Sequence, residues 1–330
     1  MGYTSIPQYQ LLAIDGIGIR VPDTEENRCL IGVHKNQYGA IAACKILAIH
    51  DVLNRVFYHV HLHPRSVAEL VALHQKFEIL PSNSIMIYDR HYCDSLLLDR
   101  HLKSRKPCLI RMKIKGIKAV ENFLKSGDTD SIVEFRLGER AYYSARDKYG
   151  LKNKHPKFST FKIRLLRVEL PNGTTEVLAT NLLDKNKFSR EEFKDLYSKR
   201  WGEETAFDEL KNQLKLGVFS GYKAQFVLQD LWSVLIFYNI RSMFIHVAEK
   251  ELNGQKLKGQ INRNIAITIV KKDWFDLLLS EHQGVYVKAA INLIKRYYES
   301  VRIRPPTKRT RKQMRLNERY MTEKNYKPAF

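Results

Sequence analysis

The chain has 330 residues, 44% of them hydrophobic, and its 56 Lys and Arg against 35 Asp and Glu leave a formal net charge of +21. That length and apolar content provide for a sizeable core and two or three domains, and so large a positive excess goes beyond what solubility requires, which makes a polyanionic partner the first expectation. No uninterrupted apolar run approaches the roughly 20 residues of a spanning helix, and the opening MGYTSIPQYQ has no apolar signal core, so the expectation is nucleic acid rather than membrane, in a soluble intracellular protein.

In chain order, Tyr9 to Ile14 is a short apolar run ending at Asp15-Gly16, and DGIGIR at 15–20 lacks the third glycine of a dinucleotide-binding loop. Cys29, Cys44, Cys93 and Cys108 form no C-x-x-C pair and read as reduced core residues. Tyr38 to Ile49 and Asn54 to Leu62 are β-rich; in the second, His59, His61 and His63 alternate as on one strand face, without acidic or cysteine neighbours at ligand spacing. Pro64 to Phe77 has helical spacing, and Ser84 to Tyr88 (SIMIY) reads as a buried strand ending at Asp89. Three strands, a helix and a strand predict a mixed sheet rather than repeated βαβ units.

From about residue 105 to 180 the pattern turns to short β-like runs (CLIRMKIK, SIVEFRL, TFKIRLLRVEL, TEVLAT), with Pro171-Asn172-Gly173 as a turn between two of them. The basic segment HLKSRKPCLIRMKIK at 101–115 would line a strand face against DNA or form a solvent-facing strand edge kept soluble by lysine. SREE at 189–192 is a capping box, and helical patterns follow through Gln225 to Glu249 and Val285 to Ser300. Trp201, Trp232 and Trp274 are expected to pack in the core. The last thirty residues carry ten Lys or Arg against two Glu, a basic tail suited to a phosphate backbone or simply solvated.

The stretch YSKRWGEETAFDELK at 197–211 raises a sharper question. Read as one helix, it gathers Tyr197, Arg200, Glu204 and Lys211 in a stripe about 60° wide, beside an apolar stripe of Leu196, Phe207, Leu210 and Leu214 into which Glu203 intrudes. A solvated amphipathic helix gives the same periodicity, so the pattern alone does not decide. Asp15 and Asp89 each follow an apolar strand, and singly each reads as a turn former. Together with Glu204 they supply what magnesium-dependent phosphoryl transfer needs: a few carboxylates from separate elements, flanked by cationic phosphate ligands.

These residues resemble the DDE transposases of the insertion-sequence-four family. Tyr197, Arg200, Glu204 and Lys211 reproduce its Y-(2)-R-(3)-E-(6)-K signature; LLAIDG at 11–16 resembles its first-aspartate strand, IMIYDRHY at 85–92 its second with His91 in place of a frequent glycine, and VLATNLLD at 177–184 the strand closing its β-rich insertion. The resemblance implies a ribonuclease H-like α/β fold, a mixed sheet with helices interrupted by a β-rich insertion, with C-terminal helices. Residues 1–100 would be the first part of the catalytic core, 101–185 the insertion, 186–250 the second part, and 251–330 a helical region and basic tail. It further implies a catalytic, metal-binding triad of Asp15, Asp89 and Glu204, with Tyr197, Arg200 and Lys211 on DNA phosphates. Two Mg2+ ions (Mn2+ able to substitute), double-stranded DNA at insertion-sequence ends and targets, a homodimer on the DNA and a prokaryotic cytoplasmic, nucleoid-associated location complete the expectation. The implied chemistry is nicking, hairpin formation and strand transfer; the alternative is a truncated DNA-binding remnant. The first catalytic strand begins within about ten residues of Met1, so the N-terminal end-binding domain usual in the family is expected to be absent.

Overall fold

A computed structural model describes residues 9–37, 39–151, 158–170, 173–253 and 259–299. The basic tail, and Pro171-Asn172 of the expected turn, lie outside the described residues. The chain divides into two compact units, the first formed by the chain up to Ile19 with Glu25–Leu53 and Phe57–Phe207, the second by Arg20–Thr24, Asn54–Val56 and the chain from Asp208 onward.

The first unit is built on a nine-stranded sheet. In chain order its elements are β1 (Gln10–Arg20), α1 (Glu25–Leu30), β2 (Val33–Asn36), β3 (Gly39–Asp51), β4 (Val56–Pro64), α2 (Glu69–Gln75), β5 (Ser84–Tyr88), α3 (Ser95–Lys103), β6 (Cys108–Arg111), α4 (Lys118–Ser126), β7 (Asp130–Leu137), α5 (Glu139–Tyr143), β8 (Ser159–Glu169), β9 (Thr175–Thr180), α6 (Arg190–Ser198) and α7 (Trp201–Asp208). The strands run in the order β2-β3-β1-β5-β6-β9-β8-β7, with β4 also on β3. β1, β5 and β6 are parallel, whereas β6-β9, β9-β8 and β8-β7 are antiparallel. This is the mixed ribonuclease H-like sheet that the resemblance implies. Residues 130–180 extend the same sheet beyond β6, so β6 is an interior strand rather than a solvent edge. Two basic side chains of the segment 101–115 are paired within the fold: Arg111 with Glu176 at 2.8 Å and Lys103 with Asp99 at 2.6 Å.

Alternation along the strands explains why both faces of the sheet are covered. Leu12, Ile14, Met86, Tyr88, Cys108 and Ile110 point to one core with Leu96–Leu98 of α3 and Val120 and Phe123 of α4. Leu11, Ala13, Ile85, Ile87 and Leu109 point to the other, packed with Phe193, Leu196 and Tyr197 of α6. The Ser189 capping box is present, its Oγ accepting from Glu192 N and Glu192 Oε2 accepting from Ser189 N, so the start of α6 is fixed by sequence.

Two expectations need correction here. β1 does not end at Asp15 but continues to Arg20, because IGIR keeps the period-two pattern and Ile17 and Ile19 are buried. The stretch from Tyr197 to Lys211 is not one continuous α-helix. Lys199, Arg200, Gly202 and Glu203 donate to the carbonyls three residues back, a tightened turn between α6 and α7. After α7 the chain widens into a π turn, Leu214 N donating to Glu209 O at 3.0 Å.

The second unit centres on α8 (Ala224–Asn253), with α9 (Arg263–Lys272), α10 (Trp274–Leu279) and α11 (Gln283–Arg296). Ile245, Ala248 and Leu252 form its core with Ile269, Val270, Leu277, Ala290 and Ile294. By length and composition α8 would pass as a membrane span. Its two central charges are bound within this unit: Asp230 accepts from Ser220 N and Oγ, and Arg241 donates to Glu209 at 2.5 Å. Of the tryptophans, Trp274 packs on Phe237 as expected, but Trp201 and Trp232 are exposed. Cys29 is exposed too, while Cys44 and Cys108 are buried and all four cysteines are free.

Candidate active site

β1 and β5 pair in parallel with Ile14 opposite Tyr88. Asp15 follows Ile14 within β1 and Asp89 is the first residue after β5, so the register brings them to neighbouring positions, close enough for Asp89 to act on the Asp15 carboxyl. Asp15 Oδ1 accepts from Gly16 N at 2.8 Å. Asp89 caps the short turn that follows β5, accepting from His91 N at 2.7 Å, with His91 Nδ1 also 2.7 Å from its second oxygen. Burial, together with the neighbouring carboxylates of Glu69 and Asp89, pushes the Asp15 carboxyl up to about 6, against the opposing Gly16 N–H and Arg200 guanidinium. Gly16 makes room for Glu69, whose carboxyl would overlap any Cβ at that position. Glu69 in turn accepts from Tyr92 Oη at 3.2 Å and pairs with Lys45 at 2.9 Å.

The segment joining α6 to α7 brings further groups to the same place. Arg200 is buried, and its Nη2 donates to Glu204 Oε1 at 2.8 Å, leaving the Glu204 side chain 45% exposed. Burial works against the Arg200 charge, but Glu204, Tyr197 and Asp89 outweigh it and raise its pKa. Arg200 Nε and Tyr197 Oη are buried with no hydrogen-bond partner. Burial pushes the Tyr197 phenol up to about 12, with Arg200 and Arg111 opposing and Glu176 and Asp89 adding to the rise. The exposed ring of Trp201 lies 5.1 Å from the Arg200 guanidinium.

The predicted residues are therefore placed differently. Asp15, Asp89, Arg200 and Tyr197 converge, Glu204 joins them through Arg200, and Lys211 is an exposed side chain of the π turn in the second unit. Glu203, in sequence an intruder on an apolar face, is completely buried and neither carboxyl oxygen has a partner. Burial, and then the Asp15 carboxylate, hold it well above the usual carboxylate range, with Asp89 and Glu204 adding to the rise and Arg200 opposing. Glu69 was likewise not singled out; its only sequence signal is an acidic residue opening α2.

Carboxylates are the donors a hard divalent cation takes, and a buried carboxylate with two orphaned oxygens fits such a group. Among the described residues no three His, Cys, Asp or Glu side chains already stand close enough to hold an ion; Asp89 is turned to His91 and Glu204 to Arg200.

A mixed sheet of this order, with Asp15 and Asp89 on its paired parallel strands and a helix beside them, is consistent with the ribonuclease H-like fold that the resemblance implies. The transposase DDE domain family matches residues 6–240, and the chain belongs to that family. It is 26% identical over 245 residues to the transposase InsG for insertion sequence element IS4 of Escherichia coli (strain K12), a match that covers 72% of this chain and 53% of the relative, so it spans about half of that protein's length. A cryo-EM structure of the piggyBac transposase synaptic complex with hairpin DNA matches 90% of this chain and 58% of its own, at 11% identity and a TM-score of 0.46.

Proposed function

We propose that the chain cleaves and joins double-stranded DNA at insertion-sequence ends by divalent-cation-dependent phosphoryl transfer. Asp15, Asp89 and Glu204 are the catalytic carboxylates, and Tyr197, Arg200 and Lys211 contact DNA phosphates. The observation that carries this reading is the pairing of opposites: Asp15 and Asp89 at neighbouring register positions of two parallel strands, and near them two buried donors, Arg200 Nε and Tyr197 Oη, without partners. A cation and a phosphate together would satisfy both sets, whereas a purely structural site would leave the donors unmet at a cost of about 1–3 kcal/mol each. The net charge of +21 supplies the long-range attraction to DNA.

Magnesium, with manganese able to substitute, would supply activation of the attacking oxygen and stabilisation of the leaving oxygen when two ions are bound. The protein's own residues do the rest. Arg200, buried and held in orientation by Glu204, directs a fixed guanidinium at the charge that develops on the phosphate. Tyr197, protonated at neutral pH, donates a hydrogen bond from its phenolic hydroxyl to a phosphate oxygen. Pairing two element ends requires at least two protomers on the DNA.

The test is the full chain incubated with supercoiled plasmid carrying the terminal repeats that flank its own gene, in magnesium or manganese, beside Asp15→Asn and Glu204→Ala. Breaks at the repeat ends that are lost in both variants support the reading. Binding without cleavage by the unaltered chain overturns the enzymatic part and leaves a DNA-binding remnant.

A further inference from the structure

The tightened turn before α7 changes which glutamate meets the aspartates. Each residue of a three-per-turn segment advances by about 120° instead of about 100°. Lys199, Arg200, Gly202 and Glu203 all donate three residues back, so α7 is rotated away from the wheel of an unbroken helix. On the rotated helix Glu203, not Glu204, lies in the interior. Its burial is complete, both oxygens lack partners, and of the carboxylates that act on it, Asp15 first and then Asp89 and Glu204, Asp15 acts most strongly. Glu204, by contrast, is occupied by Arg200 at 2.8 Å and faces outward.

A buried carboxylate without a hydrogen bond is expensive in either protonation state, since a neutral acid still leaves a donor and an acceptor unmet. A structural role is no explanation, because an apolar side chain would fill the same space at no such cost. What would meet both orphaned Glu203 oxygens and the neighbouring Asp15 carboxylate is a shared cation. We propose that Glu203 is a metal-binding residue of the Asp15–Asp89 site, the carboxylate that α7 turns toward the ion in this chain. This rests on the reading of Asp15 and Asp89 as a cation site and adds a ligand that the Y-R-E-K spacing does not predict.

Mn2+ binding to the purified full chain, followed by the electron paramagnetic resonance signal of the free ion, tests it without DNA or activity. Glu203→Gln preserves shape and removes charge; Glu203→Leu, apolar like its surroundings, serves if the glutamine variant does not fold by circular dichroism. The expected result is affinity lowered at least tenfold by either Glu203 variant, matched by Asp15→Asn, and lowered less by Glu204→Gln. Glu203 variants that bind Mn2+ like the unaltered chain while Asp15→Asn loses it would overturn the inference and leave the cation site standing. Binding unchanged in Asp15→Asn as well would remove the cation site and the inference with it.

Discussion

Replacing Asp15 by Asn should stabilise the metal-free protein while abolishing its chemistry. The Asp15 carboxyl titrates near 6 in the folded chain against an ordinary 3.8, first because it is buried and then because Glu69 and Asp89 face it, with the Gly16 N–H and Arg200 opposing; Glu203 and Tyr92 share the same surroundings. A carboxyl whose folded-state pKa is raised binds its proton more tightly when folded, so its favourable contribution is complete below about 3.8 and is lost as the pH rises through about 6. The gap between those values corresponds to about 3 kcal/mol once both states are ionised, of which about 1 kcal/mol is already lost at pH 4.5. Asn carries no charge and keeps an oxygen for the Gly16 N–H. Urea unfolding in EDTA should therefore show Asp15→Asn more stable than the unaltered chain by about 3 kcal/mol at pH 7.5 and by about 1 kcal/mol at pH 4.5. An equal gain at both pH values, or a loss at pH 7.5, would refute the assignment of Asp15 to a crowded acidic site.

Arg200→Ala should lower plasmid cleavage by about 100-fold or more with an unchanged circular dichroism spectrum, and Arg200→Lys should recover little because the planar fork is lost; full cleavage by the folded alanine variant would remove Arg200 from the site. In the second unit, Glu209 pairs with Arg241, whose side chain is 2% exposed, and with Arg263. Glu209→Ala should destabilise by about 3–5 kcal/mol by leaving Arg241 buried and unpaired, and a loss below about 1 kcal/mol in thermal unfolding would contradict that. Removing the last thirty residues takes away ten basic and two acidic side chains. The slope of log affinity for duplex DNA against log salt should become shallower in that truncation; an unchanged slope would mean that the tail does not touch phosphate.

The fold was legible where one periodicity dominates. SIMIY is buried at all five positions and became β5, and SREE formed the capping box it promised. Asp89 was legible for the same reason, as the residue that follows a fully buried strand. Asp15 was found as a residue, but its placement inside β1 was not, because a glycine after an apolar run reads as a turn while Ile17 and Ile19 carry the strand onward. The helix wheel failed between Leu196 and Glu203, where bonds three residues back replace bonds four back. The one available clue was Glu203 itself, a charge on an apolar face, which either violates the pattern or serves a ligand.

The most direct measurement is cleavage of a short end-labelled duplex that carries one end of the element, in magnesium, mapped at nucleotide resolution for the unaltered chain and for Asp89→Asn. The predicted result is one break that leaves a 3′-hydroxyl at the element boundary with the unaltered chain and none with the variant. Cleavage by Asp89→Asn at the same position and rate would contradict a catalytic role for the paired aspartates.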